Sequence, residues 1–417
     1  MYTKIKNQLA IDWPIVKLGN LIEVRSSKRV LESDWTDVGV PFYRGRDVNK
    51  LSKKEDISPV FISHEKYLEL KRLTGVPKIG DIIITAIGTL GKIHIVDNEE
   101  PFYFKDGTIL WFKINNRIRS DYLKFLFLSN VILDQIKYFN NITTVGAYTI
   151  DTARNTLIIL PDINKQVQIS NFLNKNCDKI DNEVALLQQK SILLDEYKNA
   201  LIYETVTKGL DKNAVMKDSG VEWIGETPNH WKIKRIKEIA NVEKGKSNEM
   251  FDFDEKNIDL LPCIDTNFLR NRENSIMYNA SGRLTNKGDV LILWDGANAG
   301  ELFINTQKGY LGSTFGRFNN KKSVNSNFLF YYLKGIEKHF RNNLVGMGIP
   351  HVNTTKLKTT AFFHPPYEEQ LEIVDFLNEK SKKIEKQIEL IKKKVELLKE
   401  YKQSLIYEAV TGQLEIE

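Results

Sequence analysis

Six histidines, two cysteines and a scatter of carboxylates are the residues here that could do covalent, acid–base or metal chemistry. Their spacing argues against all three. His64, His94, His230, His339, His351 and His364 are scattered, whereas a zinc site needs ligands paired a few positions apart. Cys177 and Cys263 stand alone, so a reduced, zinc-free, cytoplasmic protein is expected. There is no phosphate-cradling glycine loop of either common type. Pro161-Asp162 with Glu196-Tyr197-Lys198 has loosely the spacing of a nuclease centre. However, Glu196 and Lys198 fall inside a heptad pattern and not at a sheet edge, which makes them surface charge.

One tetrapeptide is more pointed. His364-Pro-Pro-Tyr367 is close to the Asn/Asp-Pro-Pro-Tyr/Phe catalytic loop of amino-methyltransferases. Here the Asn or Asp that would accept the amine's hydrogen bonds is a histidine, and no glycine-rich strand–loop for S-adenosylmethionine precedes it. Its prolines fall where a strand pattern gives way to a helical one, and proline suits a helix start. The expectation is a chain without catalysis of its own.

The elements that position side chains come in two sets. Residues 166–210 and 370–414 align without a gap at an offset of 204 (370 − 166), with about 21 of 45 positions identical. That period is far too long for a solenoid and describes a tandem of two similar halves. Each copy carries a 4-3 apolar seam. In the first it runs through Ile180, Val184, Leu187, Ser191, Leu194, Lys198 and Leu201; in the second, through Ile384, Ile388, Ile391, Val395, Leu398, Lys402 and Leu405. Two matched seams predict antiparallel pairing within the chain. Leu186, Leu193, Leu390 and Leu397 widen the stripe beyond what two strands bury, so a protein partner is expected there.

The blocks before the helices echo each other as well. Trp13-Pro-Ile-Val-Lys-Leu is matched from Trp231, and Val40-Pro-Phe-Tyr-Arg-Gly-Arg from Leu261. Gly80-Asp81 opens an apolar strand, Ile82 to Thr85, followed by a glycine loop; Gly288-Asp289 does the same. The scaffold repeats while the loop residues differ, as expected of one fold presenting two surfaces. With 417 residues there is length for two or three cored domains. No apolar run is long enough to span a membrane and nothing resembles a signal peptide. Sixty basic against fifty-four acidic residues, a net charge of +6, permits nucleic-acid binding without demanding it.

The run Glu-Tyr-Lys-x-x-Leu-Ile-Tyr-Glu-x-Val-Thr, present at 196–207 and 400–411, resembles the repeated regions of the specificity subunit of Type I restriction–modification systems. So does Pro365-Pro366-x-x-Glu369-Gln370-x-x-Ile373, whose first-half counterpart departs by having Lys165 in place of the glutamate. The resemblance covers essentially the whole chain. It implies a mixed α/β fold: two similar target-recognition domains separated by two long antiparallel helices forming a coiled coil, a pseudo-twofold tandem repeat. The expected division is 1–161 and 211–366 for recognition, with 162–210 and 367–417 as helical spacers. The resemblance further implies a non-catalytic subunit that reads a bipartite, asymmetric site in double-stranded DNA. It would dock two methyltransferase subunits carrying S-adenosylmethionine, and restriction/translocase subunits using ATP and Mg²⁺ would join them.

Base readout needs polar and basic side chains on loops held by a rigid sheet, with phosphate contacts fixing register. In the first block the candidates are Arg25, Lys28 and Arg29, then Arg44 and Arg46, then Thr89 and Lys92, and finally Thr143, Thr144 and Tyr148. In the second block Lys244, Lys246 and Asn248 come first, followed by Arg270 and Arg272. After them stand Asn298, then Ser313 and Arg317, and last His351, Asn353 and Thr354. Ile180, Leu187, Leu194 and Leu201, with Ile384, Ile391, Leu398 and Leu405, are the candidate subunit-interface positions. Two other readings remain open: a self-contained methyltransferase or nuclease, and a coiled-coil adaptor that ignores DNA. Labelling of DNA by the chain alone would select the first. The glycine loops and basic strand ends, which an adaptor does not need, speak against the second.

Overall fold

A computed structural model describes the chain except Met1, Lys54, residues 88–90, 143–146, 247–260, 272–276 and 279–281, and Glu417; the side chains of 140–142, 271, 277 and 278 also lie outside it. The chain forms two compact units. One is residues 1–187 with 393–417, the other residues 188–392. Each long helix, Ile163–Lys208 and Tyr367–Val410, therefore contributes one end to each unit.

The first unit is built on a four-stranded antiparallel sheet in the order Glu23–Arg25, Ile109–Lys113, Ile82–Thr85, Ile93–Ile95. Ile82–Thr85 is buried at every position, as its unbroken run of β-branched residues requires of a central strand covered on both faces. A second sheet runs Trp35–Thr36, Val60–Ile62, Val40–Tyr43, Tyr103–Phe104, its last pair parallel. The second unit repeats the first sheet's order with Ala240–Lys244, Phe315–Asn320, Val290–Leu293 and Leu302–Ile304. In its other sheet Leu261–Ile264 again runs parallel to Gly309–Leu311. The edge strand differs: Trp35–Thr36 extends the first unit's sheet beside Val60–Ile62, whereas Leu284–Thr285 extends the second's beside Gly309–Leu311. Before Trp231 the chain forms a further hairpin, Met216–Asp218 with Glu226–Pro228.

The Gly-Asp turns explain themselves locally. Gly80 and Gly288 have φ of +87° and +89°, open to glycine without strain. Asp81 is buried, and its carboxylate accepts from Trp111 Nε1 and from the Lys78 and Ile114 N–H groups, each at 2.9 Å. Asp289 accepts from Thr285 Oγ1 at 2.9 Å and Asn286 N–H at 2.8 Å. A buried carboxylate with three donors holds the strand start in one register.

Both units contain antiparallel helix pairing. In the first, Lys165 Nζ donates to Ile416 O at 2.5 Å, and Lys402 meets Asp181 at 2.6 Å, so one helix rises as the other falls. Ile169, Leu173 and Ile180 share a core there with Leu405, Ile406 and Val410. In the second, Lys198 meets Glu385 at 3.4 Å, and a Cβ on Gly209 would stand 3.3 Å from Glu369 Oε1. Ile202 and Val206 join Ile373, Val374 and Leu377 in its core. Among the described residues no helix is long and apolar enough to cross a membrane.

Candidate nucleic-acid interface

In the second unit the sequence candidates partly converge. The glycine loop after Val290–Leu293 is the hub. Asp295 bridges to His351 and forms an ion pair with Lys244 at 2.7 Å. Trp294 N donates to Thr314 O at 2.7 Å and Val352 N to Trp294 O at 2.9 Å. Gly245 N donates to Phe315 O at 2.8 Å, and a Cβ on Gly245 would collide with Gly312 O at 2.2 Å, so only glycine admits that approach. These contacts place Lys244, Lys246, Asn298, Ser313 and His351 on segments that meet one another. Lys246, Ser313 and Thr354 are exposed. Asn298 accepts from Arg341 at 3.3 Å, which adds a cation the sequence reading missed. Asn353 instead caps the helix Thr354–Thr359, accepting from Lys356 N at 3.1 Å, so its side chain is committed to the backbone.

Two arginines are held by carboxylates, Arg317 half-buried and Arg270 at the surface. Arg317 pairs with Glu243 at 2.9 Å, lies 3.6 Å from Asp289 and donates to Leu284 O at 2.8 Å, tying three strands together. Arg270 pairs with Glu301. It stands on a short helix, Thr266–Asn271, where a loop was expected. The first unit shows the same difference: Arg44 and Arg46 belong to the start of the helix Gly45–Leu51. The cause is an acid at the helix start. Asp47 accepts from the Arg44 N–H and Asp265 from the Phe268 N–H, both at 2.9 Å, satisfying donors a helix start leaves free. Arg44 also lies over the Trp35 ring at 5.7 Å and pairs with the buried Asp47 at 3.3 Å, a structural placement.

Elsewhere in the first unit Arg25 is spanned by Glu23, the Trp111 ring at 5.9 Å and Thr74 O at 3.1 Å. Lys28 and Arg29 follow it exposed, with the Lys28 N–H fixed to Tyr103 Oη at 2.9 Å. Lys92 is half-buried, its N–H on Thr85 Oγ1 at 3.0 Å. Tyr148 corrects the sequence expectation. It is fully buried against Phe127, its hydroxyl 2.7 Å from Thr156 Oγ1, and burial pushes its pKa well up. An aromatic ring following a run of small residues reads equally as contact or as anchor, and here it is packed in the core. Thr89, Thr143, Thr144, Asn248 and Arg272 lie outside the described residues.

The rejected catalytic lures take structural places. Half-buried His364 ends the strand Ala361–His364, its ring 3.1 Å from Ser323 O, and burial with Lys234 nearby lowers its pKa. Lys198 sits between Asp195 and Glu385 on the helix pair. The glutamate–lysine departure also has a physical account: Glu369 accepts from Trp231 Nε1 at 3.0 Å and lies 2.9 Å from His230 Nε2, whereas Lys165 reaches a backbone carbonyl.

The candidate interface positions need a correction. Ile180, Leu187, Leu194 and Leu201, with Ile384, Ile391, Leu398 and Leu405, are buried or half-buried along the helix seams. The neighbouring stripe stays exposed. Leu186 is 72% exposed, Leu193 52% and Tyr197 57%; Leu390, Leu397 and Tyr401, 204 positions on, are 57%, 55% and 57% exposed.

Comparison with known proteins gives this architecture a family. The family described as "Type I restriction modification DNA specificity domain" matches residues 10–192 and again 228–399. The chain belongs to that family. It is similar to the Type I restriction enzyme MjaVIII specificity subunit of Methanocaldococcus jannaschii, 31% identical over 44% of this chain and 43% of that protein. A putative MjaX specificity subunit of the same organism is 24% identical over 92% of both chains. The chain thus spans less than half of the first relative and nearly all of the second. Among solved structures, one concerned with complex assembly and conformational transition of the type I system aligns at TM-score 0.77 and 18% identity, covering 97% of this chain and 99% of that one. The HsdS subunit of Thermoanaerobacter tengcongensis aligns at TM-score 0.55 and 18% identity, covering 97% and 98%. At that identity the likeness establishes the fold. The specificity subunits of this family are non-catalytic.

Proposed function

We propose that this chain reads a bipartite, asymmetric DNA site, residues 1–161 taking one half and residues 211–366 the other. The long helices set the number of base pairs between the halves and dock two methyltransferase subunits through the repeated exposed stripe. Those partners carry S-adenosylmethionine, and restriction/translocase subunits add ATP and Mg²⁺ chemistry. The observation that carries the reading is a repeated sheet whose surface segments diverge. The glycine loop at 295–300 gathers Lys244, Asn298 and His351. In the first unit the equivalent position is marked by the bridge of Ile87 to Ala147, and the sequence around it carries a different set of residues. One scaffold with two chemistries suits two unlike half-sites.

The test is methylome sequencing of cells expressing this chain with its methylating partner, before and after residues 1–161 are exchanged for another block of the same scaffold. A two-part motif with one half altered is expected. Alteration of both halves, or a motif without two parts, would refute the proposal.

A further inference from the structure

An apolar prow stands beside the gathered loops of the second unit, and recognition through polar groups leaves it unused. Val345 N donates to His351 O at 2.9 Å and His351 N to Val345 O at 2.8 Å, closing a loop of five residues between them. Gly296 N fixes the loop to the hub by donating to Pro350 O at 2.9 Å. At its tip Met347 is wholly exposed and Ile349 is 68% exposed. Met347 is flanked by Gly346 and Gly348, with φ of +110° and +101°. A Cβ on Gly346 would stand 2.6 Å from Ile349 O and 2.7 Å from His351 Nδ1, so the loop's tightness requires glycine.

We infer that Met347, backed by Ile349, is a wedge that enters the base stack of the second half-site. The inference rests on the DNA-reading function proposed above. Three features select DNA as the occupant. The tip is narrow, because glycines on both sides of Met347 remove the breadth a protein interface needs, about 800 Å² per partner. It is tied in place by backbone hydrogen bonds before any ligand arrives, so little order is lost on insertion. Two cations stand on the adjoining segments: Arg341, 3.5 Å from Glu337, precedes the loop, and Lys244, paired with Asp295, lies across the hub; both can exchange these partners for phosphates beside an opened step. Apolar side chains inserted between base pairs unstack and kink a duplex, most readily at flexible pyrimidine–purine steps.

The experiment uses the chain assembled with its methyltransferase subunits. The probes are duplexes of the methylome-determined motif, with 2-aminopurine placed in turn at each position of the second half-site. Unstacking raises 2-aminopurine fluorescence. The wild-type complex should brighten the probe at one step. Met347→Gln should abolish that signal and weaken binding by about ten- to a hundredfold, the value of burying a side chain of this size. Met347→Leu should keep both the signal and the affinity. Unchanged fluorescence and affinity in Met347→Gln would overturn the wedge while leaving DNA reading intact. Loss of the methyltransferase subunits from Met347→Gln without DNA present would overturn it in favour of protein docking. Failure of the wild-type complex to bind its own motif would bring down the DNA-reading function itself.

Discussion

Two buried glutamines give the sharpest test of how the helices are joined to the globular blocks. Gln370 is fully buried at the start of the second long helix. Its Oε1 accepts from Asn325 N at 2.9 Å, while Nε2 donates to Pro365 O at 3.0 Å and Ser323 O at 3.1 Å. Gln370→Ala removes one acceptor and two donors at once. Ser323 O keeps the His364 ring, so two groups, Asn325 N–H and Pro365 O, are left unpaired at about 1–3 kcal/mol each, and roughly 2–5 kcal/mol is expected once admitted water is counted. For a unit of this size 1 kcal/mol moves Tm by about 2–4 °C, which puts the loss near 4–20 °C. Scanning calorimetry reads the shift, and hydrogen exchange by peptide assigns it to residues 188–392. Gln166 makes the equivalent set, with Arg119 N, Pro161 O and Arg117 O at 2.9, 2.9 and 3.2 Å. Its alanine variant should therefore destabilise the other unit by a similar amount. A loss below about 1 kcal/mol in either variant would refute the idea that this side chain clamps helix to block.

Leu186→Arg with Leu390→Arg should alter stability by less than about 1 kcal/mol, since both residues are exposed, yet prevent co-purification of the methyltransferase subunits. Retention of those subunits would count against the stripe. Burial pushes the Cys177 thiol up to about 11. The folded chain therefore holds that proton while the unfolded chain releases it near 9, so stability falls as pH rises from about 9 to 11. In Cys177→Ala the slope of urea-denaturation free energy against pH over that window should flatten, and an unchanged slope would disprove the assignment. Four residues inserted near Gln188 lengthen a helix by about 6 Å, close to two base pairs of duplex. Methylome sequencing should show altered half-site spacing or lost assembly; unaltered spacing with full methylation would show that the helix is not a ruler.

The helices and central strands were legible because their signals are periodic. The seam Ile180, Val184, Leu187 lies on the less exposed side while Leu186 stays in solvent, as a 4-3 spacing dictates. The Gly-Asp strands fell where the apolar runs put them. What escaped depends on partners distant in sequence. Nothing near Arg317 announces that Glu243 and Asp289 will enclose it. Tyr148 carries the same local signature whether it faces solvent or Phe127. Arg44 and Arg270 were assigned to loops because a helix of six or seven residues is too short to show its period, although Asp47 and Asp265 offered capping signals. Arg341 was missed because its place beside Asn298 is set by chain folding and not by any motif.

The duplicated run Glu-Tyr-Lys-x-x-Leu-Ile-Tyr-Glu-x-Val-Thr combines residue types that packing explains with one that it does not. Its Ile and Val are buried at 202, 206, 406 and 410, and its Thr hydroxyls bond back to Tyr203 O and Tyr407 O, so packing accounts for those types. Its lysines are held by Glu385 and Asp181 across the helix pair. Packing does not account for the first tyrosine of the run. Tyr197 and Tyr401 are each 57% exposed and flank the exposed leucines at 193 and 397. A helix in water gains nothing from an exposed tyrosine over a lysine or glutamate. Its presence at the same turn of both copies is what the proposed docking of two like subunits requires, one contact made twice.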